Sequence, residues 1–253
     1  MRGVAAVPRK EMEEDFRERA RRMLFSAEVV ESFLGSATLS QIRCVDGMLA
    51  HELETRATRK RERLMRKARF PSPKSFDGYD FSQVTFPDGY GIDDLKALTF
   101  IGANEGFVFH GKTGRGKSHL ATAVGIAAID AGMAARFFTA AQLVMMLAKA
   151  NRAGLLDVQM KDIAKSDLVI LDEFGYVPID IEGARLLFQF VSDCYERRSL
   201  ILTTNIEFSK WGTVLGDDKL AAAMIDRVVH HSRLVEFNGT SHRMDAALML
   251  GKV

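Results

Sequence analysis

The stretch VFHGKTGRGKSHLATAV, residues 108–124, runs from apolar residues through a loop with three glycines into an alanine-rich helical segment opening on Lys117-Ser118. Gly111, Lys112, Thr113, Gly114, Arg115, Gly116, Lys117 and Ser118, with His119 behind them, fit G-x-x-x-x-G-K-[ST]. Backbone N–H groups can wrap phosphate oxygens only where the chain turns tightly and approaches closely, which glycine permits. The helix that follows presents unpaired amides and a positive dipole end to the same anion. Lys117 is expected at the β- and γ-phosphates and the Ser118 hydroxyl on Mg²⁺, so the ligand expected here is ATP·Mg²⁺. A chance glycine loop could match these letters. A strand-like run before it and a helix after it are the context that the mechanism requires.

Working outward, DLVILDEFG (167–175) is an apolar strand ending in Asp172-Glu173. An Asp there suits Mg²⁺ held through water, and a Glu directly after it suits a base that polarises attacking water. LILTTNIEF (200–208) ends another strand in Asn205, which taken alone reads as a turn residue. The strand order resembles that of P-loop ATPases with an inserted strand, which implies that Asn205 orients that water. The apolar runs 106–110, 135–139, 167–171, 199–204 and 233–237 alternate with helical stretches such as 117–131, 140–150 and 182–197. That alternation predicts an α/β fold whose five-stranded parallel sheet is covered by helices on both faces.

The rest of the chain is of another kind. Residues 11–69 lack proline and are rich in helix formers, and Gly35 and Gly47 are expected to divide them into three helices. Residues 1–75 hold 17 Lys/Arg against 11 Asp/Glu, whereas the remainder holds 18 against 22. The excess gathers in RATRKRERLMRKARF (56–70), with Arg56, Arg59, Lys60, Arg61, Arg63, Arg66, Lys67 and Arg69 around the single acid Glu62. Such a stripe can neutralise a line of phosphates with little regard for base sequence. It can equally be a solvated helix face. The segment 70–91 carries three prolines, four Phe and two Tyr, and reads as a linker that packs on something. The expected organisation is a basic helical domain over 1–70, a linker over 71–91 and an ATPase domain over 92–253.

Composition narrows the setting. With 47% apolar residues a full core is within reach, yet no run approaches a membrane span and the N-terminus lacks a signal-type apolar core. Cys44 and Cys194 stand far apart, outside any metal-ligand spacing, as expected of idle thiols in a reducing compartment. These features predict a cytoplasmic protein with no membrane partner. His230, His231 and His242 have no carboxylate or thiol at ligand spacing, so no metal is assigned to them. The Met-rich stripe 143–150 and Trp211 read as packing.

On GKTGRGKSHLATAVG (111–125), DLVILDEFGYVPIDIEGARLLFQFVSDCYERRSLILTTNIEFSKWG (167–212) and GDDKLAAAMIDRVVHHSRLVEFNGTSHR (216–243), the chain resembles the IstB family of transposition helper ATPases. More broadly it resembles the AAA+ ATPases of the DnaA/DnaC-like initiator and helicase-loader group. The resemblance implies an oligomer on duplex DNA that recruits or activates a transposase, with ATP hydrolysis controlling assembly. It also implies that Arg227 acts in trans as an arginine finger on a neighbouring subunit's nucleotide; a salt bridge to Asp217, Asp218 or Asp226 is the alternative. Arg243 matches a nucleotide sensor, although only about ten residues follow it, too few for the C-terminal helical lid usual in AAA+ proteins. Phe76, Tyr79 and Phe81 are candidates for the adenine pocket. Two other readings share the core: a helicase loader of DnaC type, and a scaffold that binds ATP without appreciable hydrolysis.

Overall fold

The structure, a computed structural model, describes residues 8–239, and the expectation of a missing C-terminal lid falls outside them. The chain divides into two compact units, Met1–Arg63 and Leu64–Val253.

The first unit is helical: α1 (Arg9–Arg22), α2 (Ala27–Ser36) and most of α3 (Leu39–Ala68). Its core follows helical spacing, with Met12, Phe16 and Ala20 from α1 meeting Val30 and Leu34 from α2 and Ile42 and Leu49 from α3. Phe16 stacks on Phe33 with ring centroids 5.3 Å apart, and Arg17 bridges to Glu31 at 2.7 Å. The expected break at Gly47 is corrected: α3 runs straight through it. A glycine inside a helix costs only about 1 kcal/mol relative to alanine, which the packing of Ile42 and Leu49 on either side offsets. The first break falls instead at Leu24, where φ is +65° and the Phe25 N–H reaches back to the Ala20 carbonyl at 3.0 Å.

The second unit is a six-stranded sheet between helical layers. Its elements are β1 (Val84–Thr85), α4 (Ile92–Ala97), α5 (Thr99–Gly102), β2 (Gly106–His110), α6 (Lys117–Asp130), β3 (Ala135–Thr139), α7 (Ala140–Arg152), α8 (Leu156–Ile163), β4 (Leu168–Phe174), α9 (Ile181–Cys194), β5 (Ser199–Thr204), α10 (Trp211–Leu215), α11 (Asp218–His230) and β6 (Ser232–Phe237). The strand order is β1-β6-β2-β5-β4-β3. The five expected strands pair in parallel, and β1 joins β6 antiparallel at the edge. That sixth strand lies in the aromatic linker.

Alternation along the strands fills both faces. Leu168 and Ile170 of β4 join Phe107, Phe109, Ile201 and Val235 under α6. Val169 and Leu171 point the other way, into the layer that holds Leu143, Leu187, Phe190 and Trp211. Trp211 is fully buried, and its indole N–H donates to the Ile206 carbonyl at 3.4 Å. In the Met-rich stripe Leu143 and Leu147 pack inward while Met145 faces solvent. Phe70, Phe76, Tyr79, Phe81, Phe86 and Tyr90 pack against the core on the α6 side, so the linker belongs to this unit's core. With β5 lying between β2 and β4, the carboxyl ends of three strands bring Gly111, Asp172 and Asn205 to one end of the sheet, where open α/β sheets bind ligands.

Candidate nucleotide site

A cavity of about 640 Å³ opens at this end, lined among others by Gly114, Gly116, Lys117, Ser118, Thr122, Asp172, Glu173 and Tyr176. The backbone before α6 is shaped by glycine. Gly111 has φ +151° and Gly116 +87°, conformations that residues with a Cβ seldom adopt. A Cβ on Gly111 would collide with the Phe237 carbonyl, and one on Gly116 would come within 2.6 Å of the Tyr79 hydroxyl.

The side chains around the loop are bonded. Lys117 is buried, and its Nζ donates to the Gly111 and Lys112 carbonyls at 2.6 and 3.0 Å. Ser118 Oγ donates to Asp172 Oδ1 at 2.8 Å, and Thr203 Oγ1 donates to the same oxygen. Thr203 Oγ1 also accepts the Glu173 N–H at 3.1 Å. Glu173 sits at φ +60°, an unusual conformation for a residue with a side chain, of the kind that clusters at functional sites. Asn205 follows β5, and its Oδ1 is buried with no hydrogen-bond partner. It does not line the cavity.

Several expected residues are engaged locally. Thr113 Oγ1 and the Tyr176 hydroxyl lie 3.3 Å apart, joining the loop to the segment after β4. Arg115 donates to the Phe237 carbonyl at 2.9 Å. The His119 ring bonds the Ser75 carbonyl at 3.0 Å and meets Tyr79 edge to face. Tyr79 alone of the three adenine-pocket candidates lines the cavity, and burial raises its phenol pKa. Phe76 and Phe81 lie instead beneath the Lys96 ammonium.

Arg227 lies apart from this cavity. Its guanidinium donates to the Ala223 carbonyl at 3.0 Å and covers the Phe188 ring at 4.7 Å. Among the described residues it forms no ion pair with Asp217, Asp218 or Asp226, and Asp217 caps α11 by accepting from the Lys219 and Leu220 N–H groups. His230 bonds the Tyr195 hydroxyl and His231 faces Glu196. Arg243 and His242 lie outside the described residues. The Cys194 thiol is buried and pushed up to about 12, while Cys44 is exposed.

The eight basic residues of 56–69 are all exposed. Arg56 pairs with Glu52 at 2.7 Å, and Lys67 pairs with Asp162 at 2.8 Å. Among the described residues no helix is long and apolar enough to cross a membrane.

Sequence reasoning missed Thr203, Tyr176, Phe137, Thr139 and Thr122 as parts of the site. A threonine pair just before Asn205 was the only signal for the first.

A glycine loop wrapped before α6, an acid pair at the end of β4 and β5 inserted between their strands define a P-loop nucleotide-binding fold. Residues 21–248 match the family described as IstB-like ATP binding protein, and the chain belongs to that family. It is 36% identical over 197 residues to the "Insertion sequence IS5376 putative ATP-binding protein" of Geobacillus stearothermophilus, covering 78% of each chain. It is 34% identical to the "Insertion sequence IS21 putative ATP-binding protein" of Pseudomonas aeruginosa, covering 85% of this chain and 82% of that one. In fold it is similar to the crystal structure of DnaI, with a TM-score of 0.50 and 16% identity, over 65% of this chain and 91% of that one.

Proposed function

We propose that this protein is an ATP-dependent helper of DNA transposition. It hydrolyses ATP, assembles as an oligomer on duplex DNA, and recruits or activates a transposase, with hydrolysis controlling the assembly. The observation that carries the reading is the bonded line Ser118–Asp172–Thr203–Glu173 at the mouth of a glycine-shaped loop, in a chain of an ATP-binding family whose relatives are named for insertion sequences.

The residues present suit ATP with Mg²⁺. Ser118 and Asp172 offer only oxygen donors, which a hard cation prefers. Mg²⁺, when bound, neutralises charge on the phosphates. The loop amides of 111–116 and Lys117 hold the phosphates, with Lys117 exchanging two carbonyls for them. Ser118 and Asp172 hold the metal. Glu173 takes the proton of the attacking water, and Asn205 orients that water. Arg227 completes a neighbour's site. Its guanidinium is held by a carbonyl and a ring face, and among the described residues no carboxylate pairs with it, which leaves its charge available to a phosphate. Arg243 belongs to the same reading as a sensor.

The basic helix supplies the contacts to duplex DNA through Arg56, Arg59, Lys60, Arg61, Arg63, Arg66, Lys67 and Arg69. The working division of the chain is a basic helical domain over 1–70, a linker over 71–91 and the ATPase domain over 92–253. The test is anisotropy of labelled duplex DNA titrated with the full chain at stepped salt, with ATP or ADP. The expected result is binding tightened by ATP and steeply weakened by salt. Binding that ignores the nucleotide, or is confined to single strands, contradicts the reading.

A further inference from the structure

The end of β4 departs from a regular ladder at one place. Leu171 pairs with Leu202 and Phe174 with Thr204, so Asp172 and Glu173 together face the single residue Thr203. This is a β-bulge, which leaves an extra residue without a ladder partner and re-aims its side chain. Two consecutive hydroxyls of β5 make the missing bonds. Thr203 Oγ1 accepts the Glu173 N–H at 3.1 Å and donates to Asp172 Oδ1. Thr204 Oγ1 donates to the Phe174 carbonyl at 2.9 Å and accepts the Ile206 N–H at 3.0 Å. Both threonines are buried, at 1% exposure.

We infer that Thr203 is a positioning residue for hydrolysis: its one hydroxyl sets the Asp172 carboxylate and, through the Glu173 N–H, holds the backbone turn that aims the Glu173 carboxylate. The argument is one of satisfiability. A hydroxyl has one proton and two acceptor lone pairs. Here the proton goes to Asp172, and a lone pair takes the Glu173 backbone N–H inside the bulge. No aliphatic side chain can do either. Glu173 at φ +60° holds a conformation that a β-carbon disfavours, so without its anchor the peptide is free to relax toward the regular strand and swing the carboxylate away. Asp172 keeps the Ser118 bond in that event, so loop and nucleotide binding survive while the aim of the base is lost. Binding and turnover are thereby served by different hydroxyls on one carboxylate oxygen.

The inference rests on the hydrolysis reading, and the experiment separates the two. Wild type, Glu173→Gln, Thr203→Val and Thr203→Ser are compared as full chains on duplex DNA for kcat, KM and ATP affinity. Hydrogen exchange at the Glu173 amide is followed in the nucleotide-free proteins. Thr203→Val keeps the shape and removes the hydroxyl; it is expected to lower kcat about 100-fold, the scale of a misplaced catalytic group. KM and ATP affinity stay within about twofold, and the Glu173 amide exchanges faster. Thr203→Ser restores the hydroxyl, most of the kcat and the slow exchange. Turnover lost in Glu173→Gln but kept in Thr203→Val overturns the inference alone. So does an equal loss in the Val and Ser variants, or a loss carried by KM. Turnover that Glu173→Gln leaves unchanged overturns the hydrolysis reading, and the inference with it.

Discussion

Asp172 is 4% exposed and shares one oxygen between two hydroxyls, whereas Arg59, Lys60 and Arg63 on α3 stand in solvent. The two regions hold charge by opposite means. At the sheet end the side chains are placed by a strand, a bulge or a glycine turn, and Asp172 is held through one carboxylate oxygen by the Ser118 and Thr203 hydroxyls. Along the basic helix the side chains are long and exposed, so charge density matters more than the position of any one residue. Precise placement suits bond-breaking chemistry, while a diffuse stripe suits a polyanion whose phosphates recur every few ångströms. The contrast makes the two regions separable by mutation.

The sharpest break is Glu173→Gln. Turnover is expected to fall about 10²–10⁴-fold, the range for removing a general base, with ATP affinity and duplex binding retained. Steady-state ATPase assays beside nucleotide titration check it. A smaller effect is expected from charge removal on the helix, in Arg59→Gln/Lys60→Gln/Arg63→Gln. Duplex affinity should drop on the order of tenfold or more, and the log–log salt slope should shallow by about 0.9 for each phosphate no longer neutralised. ATP binding without DNA should not move. Should the triple variant weaken ATP binding as much as DNA binding, the separation of the two regions fails.

Tyr79→Ala bears on the cavity alone. The Tyr79 ring lies against Gly116 and lines the cavity, so ATP affinity is expected to fall on the order of tenfold, about 1.4 kcal/mol. Phe81→Ala, outside the cavity lining, should change it less, and isothermal titration of both variants compares them.

The smallest effect belongs to Asp162, bracketed by Lys67 at 2.8 Å and Arg136 at 2.9 Å. Their bonds hold its carboxyl at about 2. Because the folded value lies below the unfolded value of about 4, this pair of bonds contributes fully above that pH, and its contribution is lost as pH falls toward 2. With its side chain 39% exposed, solvent screening limits the contribution to about 1 kcal/mol or less. Urea unfolding of Asp162→Asn at pH 7 and pH 3 should show a loss at the former that shrinks at the latter.

How far the fold was legible follows from the physics of each element. The strands of the sheet are short apolar runs between polar turns, and a strand buried on both faces has no other way to be written. The loop was legible because phosphate wrapping tolerates few residue types. Gly47 misled because a single glycine is a weak breaker inside a helix that packing supports, while Leu24 carries no signal for the left-handed turn it makes. β1 was hidden in a proline- and aromatic-rich segment, where two residues are too few to show alternation. Thr203 was passed over because a threonine in a strand ordinarily reports only β-branching. Its role depends on which residue the bulge places opposite, and pairing across strands is not written locally. The partners of Arg227 were also out of reach, since the Ala223 carbonyl on its own helix and the Phe188 ring on α9 compete there with the acids nearby in sequence.

If ATP in this cavity controls assembly on duplex DNA, the size of the assembled species must follow the nucleotide. Sedimentation velocity of the full chain reads that size, with a duplex several helical turns long, in ATP, in ADP and without nucleotide. Glu173→Gln is run beside wild type. The expected outcome is large complexes that need both ATP and duplex and that persist in the variant. A chain that sediments as a monomer in every nucleotide state, indifferent to duplex, would refute ATP-controlled assembly.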